Sequence, residues 1–74
     1  MKITLRAARV NRGLTQTEAA SKFGIHRDTL YHYEADSSNV PRKFVMKVEE
    51  VYGIPVDYIF FGKESEFFRK FENI

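Results

Sequence analysis

Four residues in one short stretch, Arg27, Asp28, Tyr31 and His32, carry a guanidinium, a carboxylate, a phenol and an imidazole. On a helix turning ~100° per residue they fall within one arc of about 140°, while Thr29, Leu30 and Tyr33 occupy the opposite arc. One face would pack and the other would meet solvent. The exposed groups are of the kind that read base edges: arginine pairs bidentately with guanine, aspartate accepts from cytosine, and a polar or aromatic group meets a thymine methyl or a phosphate. An ordinary solvated helix face has the same composition, so the surrounding elements must decide. Other chemistries have less support. Ser21, Asp28 and His32 could be lined up as nucleophile, acid and base, but no nucleophile elbow or oxyanion loop accompanies them, and Asp28 and His32 are neighbours on the exposed arc, so no catalytic residue is expected. His26 and His32 lie on different sides of a helix, which gives no metal site. Gly13, Gly24, Gly53 and Gly62 each read as a helix terminus and not as a phosphate-cradling loop, and no cofactor or small-molecule ligand is expected.

The chain of 74 residues is near the lower end of what one hydrophobic core stabilises, so a single domain is expected. It lacks cysteine, which excludes disulfides and thiolate metal sites and fits a reducing compartment. No apolar run approaches the ~20 residues of a membrane span, and no signal peptide is visible, so the expectation is a cytoplasmic protein that does not touch membranes. The net charge of +2 is unevenly placed. Residues 1–34 hold six basic and three acidic side chains, a balance of +3, and residues 35–74 hold six and seven, a balance of −1. A basic first half suits a polyanionic partner, as it also suits a solvated surface.

Helices are the economical reading, because no stretch of strict apolar and polar alternation nominates a sheet. A first helix is predicted after Thr4 as N-cap, running to about Asn11 with Leu5, Ala8 and Arg9 along an inward stripe. Thr15-Gln16-Thr17-Glu18 has the spacing of a capping box, so a second helix starts there, buries Ala19, Ala20 and Phe23, and stops at Gly24. Ile25 plugs the turn, and His26 caps a third helix from Arg27 to Glu34. A fourth helix begins near Pro41, buries Phe44, Val48, Val51 and Tyr52, and closes at Gly53. A short fifth, roughly Val56 to Phe61, follows Pro55. Phe67, Phe68, Phe71 and Ile74 line one face of a sixth in the tail.

With these elements in place, the chain resembles the Cro/repressor (XRE-type) helix-turn-helix family. The resemblance rests on Leu14-Thr15-Gln16, Glu18, Ala20, Gly24-Ile25, Arg27, Thr29-Leu30, Tyr33-Glu34, Tyr52-Gly53-Ile54 and Val56-Asp57-Tyr58, over about Leu5 to Gly62. It implies an all-α, compact five-helix lambda-repressor-like domain over residues 1–62, with the helix-turn-helix at the second and third helices. Residues 63–74 would be a helical tail that dimerises or caps the core. The implied function is sequence-specific binding of double-stranded operator DNA by a transcriptional regulator, a repressor of the small phage Cro-like kind acting as a homodimer. The resemblance further implies base contacts from Arg27, Asp28 and His32 with Tyr31 beside them, phosphate contacts from Gln16 and Arg42, and an ion pair between Arg9 and Glu34 across the core. Phe67, Phe68 and Phe71 are the expected dimerisation residues.

Two departures stand out. Ala35-Asp36 follows the third helix where the family usually has a glycine, and Ala19 replaces a larger apolar residue. The alternative function is a protein-interaction module on the same fold, such as an antitoxin-like partner. Aliphatic residues on the exposed arc of the third helix would favour it, whereas Arg27, Asp28, Tyr31 and His32 favour DNA.

Overall fold

The computed structural model describes the backbone of residues 1–72 and the side chains of residues 1–70. The Phe71 side chain and Ile74, both expected on the tail's apolar face, lie outside the described residues. The chain opens with a two-residue strand, β1 (Ile3–Thr4), and continues directly into α1 (Leu5–Asn11). Thr4 serves both elements: it sits in the strand, and its hydroxyl accepts the Ala7 amide at 3.0 Å as the helix cap. Then come α2 (Gln16–Phe23), α3 (Arg27–Ala35) and α4 (Arg42–Tyr52). Five α-helices are present among the described residues, the last being α5 (Glu64–Glu72), and none is long and apolar enough to cross a membrane.

The turn between α2 and α3 is set by Gly24, whose φ of 74° is the left-handed conformation that costs glycine little. The next amide, Ile25, donates to the Ala20 carbonyl at 3.0 Å, closing the end of α2. Ile25 packs half-buried against the core. The core takes Leu5 and Ala8 from α1, Ala19, Ala20 and Phe23 from α2, Leu30 from α3, and Phe44, Val48 and Tyr52 from α4. Its centre is aromatic: the Phe23 ring lies 4.4 Å from Phe44 and 5.3 Å, edge-on, from Tyr52. Rings in tilted and edge-on arrangements place the positive edge of one against the negative face of another.

The expected fifth helix at Val56–Phe61 does not form. A single 3₁₀ turn, Val56–Tyr58, leads into β2 (Ile59–Phe60), which pairs in parallel with β1, Ile3 opposite Ile59 and Thr4 opposite Phe60. A β-branched residue and an aromatic favour extended backbone, and pairing with β1 lets Ile59 bury to 1% exposure. Strands of two residues are too short for alternation to reveal them. Gly62 consequently follows a strand and does not end a helix. At the end of α3 no glycine is needed, because Asp36 leaves in extended conformation (φ −148°, ψ 103°). Its Oδ1 accepts the Ser38 amide and hydroxyl at 3.0 and 2.6 Å, which holds this carboxyl below the usual range. Ser37 and Gly62 then exchange hydrogen bonds, the Ser37 amide donating to the Gly62 carbonyl and the Gly62 amide to Ser37 Oγ, each at 2.9 Å. These bonds tie the exit of α3 to the entry of α5.

Candidate nucleic-acid interface

The exposed face of α3 begins with its cap. The His26 imidazole accepts the Asp28 amide at Nδ1, 3.1 Å away, and so satisfies one of the first-turn donors of the helix. That bond uses the Nδ1 lone pair, so the approach of Asp28 Oδ2 to the same nitrogen at 3.8 Å is not an ion pair in this state. Arg27, Asp28, Tyr31 and His32 are all exposed. Arg27 Nη2 lies 3.6 Å from Asp28 Oδ1, with both side chains more than half in water, a contact too solvated to lock either group. Tyr31 and His32 meet edge-on at 5.6 Å. The other side of α3 is committed inward: Leu30 and Glu34 are buried, and Tyr33 packs half-buried on Phe44 at 4.9 Å.

The N-terminus of α2 reaches α3 through Gln16, which bonds Glu34. The capping box is complete, with the Glu18 amide donating to Thr15 Oγ1 at 3.1 Å and the Thr15 amide to Glu18 Oε1 at 2.9 Å. These bonds, the backbone one foremost, hold the Glu18 carboxyl below its ordinary range. The box leaves the Gln16 and Thr17 amides unused, a first turn suited to an anion. The Gln16 side chain is half-buried, and its Nε2 donates to Glu34 Oε1 at 2.9 Å. Arg42 is the exposed first residue of α4, whose N-cap, Pro41, offers no side-chain bond.

Beneath the interface lies a buried charge cluster. Arg9 Nε donates to Glu34 Oε2 at 2.6 Å and Arg9 Nη2 to Oε1 at 3.3 Å, while Arg9 Nη1 donates to the Leu14 carbonyl at 2.9 Å. The Glu34 side chain is 0% exposed and that of Arg9 11%. Bidentate geometry with every partner placed is what such a pair requires when removed from water. Arg6 and Glu64 were not expected in this cluster. Arg6 Nε stands 3.7 Å from Glu34 and 3.4 Å from Glu64, linking α1, α3 and α5. The spacing of Arg6 and Arg9, three apart on α1, was a usable signal for Arg6. Nothing in the sequence pointed to Glu64. Tyr52 lies nearby with its hydroxyl buried and without a hydrogen-bond partner among the described residues. Burial, aided by the Glu34 carboxylate and opposed by Arg9, pushes its phenol well above the ordinary range. Among the described residues no group of His, Asp and Glu could hold a metal ion.

Two helices joined by a left-handed glycine turn, the second exposing polar groups at its first two turns, define a DNA-binding helix-turn-helix domain. The helix-turn-helix family matches residues 5–59 of this chain. The chain is 35% identical over 61 residues to the HTH-type transcriptional regulator ImmR of Bacillus subtilis (strain 168). That alignment covers 82% of this chain and 47% of the relative, so the chain spans about half of that protein's length. Two HTH-type transcriptional regulators of Archaeoglobus fulgidus, both uncharacterized, are each 27% identical over 70 residues, covering 95% of this chain and 100% and 99% of theirs. The chain belongs to the helix-turn-helix family and is a DNA-binding transcriptional regulator.

Proposed function

We propose that this regulator is a repressor that binds a palindromic operator as a homodimer, inserting α3 of each copy into the major groove of one half-site. The observation that carries the reading is the split character of α3: Arg27, Asp28, Tyr31 and His32 are exposed on one face while Leu30 and Glu34 are buried on the other. Those four side chains read base edges, and Gln16 and Arg42, each in the first turn of a helix, hold phosphates on either side. The aromatic side chains of α5 supply the subunit contact. Phe68 is 52% exposed and, with Phe67, borders an apolar groove whose other wall is Ile3, Ala7 and Val10. Phe71 completes the proposed set. Selection of bound duplexes from a random pool tests the reading. A two-fold symmetric consensus, bound with affinity that falls steeply as salt rises, is expected; recovery of no consensus would remove sequence-specific recognition.

A further inference from the structure

The Glu34 carboxylate is already neutralised by Arg9, which reaches both of its oxygens, at 2.6 and 3.3 Å. A further donor reaches the same carboxylate from outside the ion pair: Gln16 Nε2, 2.9 Å from Oε1 and nearer to it than Arg9 Nη2. Arg6, at 3.7 Å from the same oxygen, is beyond hydrogen-bond reach. A carboxylate only accepts, so the glutamine amide has one workable orientation, with Nε2 inward. Turned over, its own oxygen would face a carboxylate oxygen at hydrogen-bond distance and be repelled. One Nε2 hydrogen is used on Glu34, and the second is left to donate to another group.

Gln16 is also the first residue of α2, beside first-turn amides that favour an anion. A glutamine on a helix surface samples several rotamers, and selecting one at the moment of binding costs entropy. We infer that Glu34 is a positioning residue for DNA binding: through the Gln16 side chain it presents a fixed amide donor to the phosphate before DNA arrives. The inference rests on the proposed reading of Gln16 as a phosphate contact. It gives Glu34 a role separate from stability, because the carboxylate that closes the core also orients a group on the DNA surface.

The test separates these roles. Replacing the pair by Arg9→Met with Glu34→Leu removes both charges together, so the fold is kept while Gln16 loses its anchor. Affinity for a short mixed-sequence duplex at low salt is measured with and without Gln16→Ala in each background. In the native background Gln16→Ala is expected to weaken binding about fivefold, the value of one hydrogen bond. In the pair-replaced background, binding should already be weaker by a similar factor, with melting temperature near native, and Gln16→Ala should add almost nothing. Equal penalties in the two backgrounds would overturn the positioning role while leaving the phosphate contact standing. No penalty in the native background would remove the contact, and the positioning with it. A second measurement needs no substitution, since Gln16 is the chain's single glutamine and its side-chain amide can be labelled alone. One Nε2 proton of the native protein should be shifted downfield and protected from solvent exchange. Two protons with the shifts and exchange of free glutamine would equally overturn the proposal.

Discussion

Arg9 and Glu34 show why a buried charge is chiefly a statement about its partner. Removing either leaves the other desolvated without its bidentate partner, so Arg9→Met alone should destabilise the domain by about 3–5 kcal/mol, and adding Glu34→Leu should recover much of it. Denaturant titrations decide: a double variant as unstable as the sum of the singles would show that the two charges are not coupled. Tyr52 poses the opposite problem, a polar atom buried without a hydrogen-bond partner among the described residues. Its raised phenol pKa means the folded chain keeps a proton that the unfolded chain releases near the ordinary value of about 10. The contribution is therefore fully present below that pH and is lost as pH rises above it, because there the unfolded state binds fewer protons. Tyr52→Phe should leave neutral-pH stability unchanged or slightly higher and flatten the decline in melting temperature above pH ~10. An identical alkaline decline in both proteins would show that Tyr52 is not its source. On the surface, Arg27→Ala should cost ~1–3 kcal/mol at the operator and relax preference at one base pair, whereas Gln16→Ala should weaken all sequences alike. A uniform loss for Arg27→Ala would make Arg27 a phosphate contact.

Elements in this fold are bounded by local devices, and two glycines serve by different means. At Gly24 an added Cβ would meet nothing within 4 Å, so the only obstacle is the positive φ of 74°. At Gly62 no positive φ applies, but an added Cβ would stand 2.8 Å from Phe60 Cζ. That ring lies 5.3 Å from Phe67 and forms part of the seat of α5. Alanine at either site should cost on the order of 1–2 kcal/mol, from backbone strain at Gly24 and from crowding at Gly62. Asparagine separates the causes, since it tolerates the left-handed conformation: Gly24→Asn should melt close to native, and Gly62→Asn should be worse than Gly62→Ala. The reverse ranking in thermal melts would contradict this account.

The molecule measures 37 × 23 × 22 Å and, with α3 as its proposed reading helix, one copy would engage one half-site. Recognition helices in dimeric proteins of this fold class sit roughly 34–36 Å apart, and in the proposed homodimer a second copy supplies the other one. Phe68 and Val10, 52% and 59% exposed on the groove between α1 and α5, are the apolar groups available for that contact. Phe68→Ser should change stability by less than about 0.5 kcal/mol, shift sedimentation from dimer to monomer, and abolish cooperative binding to a palindrome while keeping half-site binding. Removing residues 63–74 should in addition lower stability, because it takes away Glu64 beside Arg6 and Phe67 beside Phe60. If Phe68→Ser remains a dimer with unchanged operator affinity, the contact lies elsewhere, and the next exposed apolar groups are Met46 and Tyr58.

Features whose causes lie within a few residues along the chain were legible from the sequence alone. Thr4, Thr15 and His26 cap helices because each bonds an amide two or three residues on, Gly24 turns the chain by its own torsion, and the two faces of α3 follow from 3.6 residues per turn. Those local rules place Arg27, Asp28, Tyr31 and His32 on one exposed arc. The pairing of Ile3 with Ile59, the seat of α5, and the meeting of Arg6 with Glu64 were decided only by the tertiary structure. Each depends on where a distant segment comes to rest, and a two-residue strand or a single glutamate carries no periodic signal of its destination. Gln16 lies at the boundary. Its place at the start of α2 is a local consequence of the capping box, but which way its amide points is settled by the Glu34 carboxylate that α3 brings beneath it.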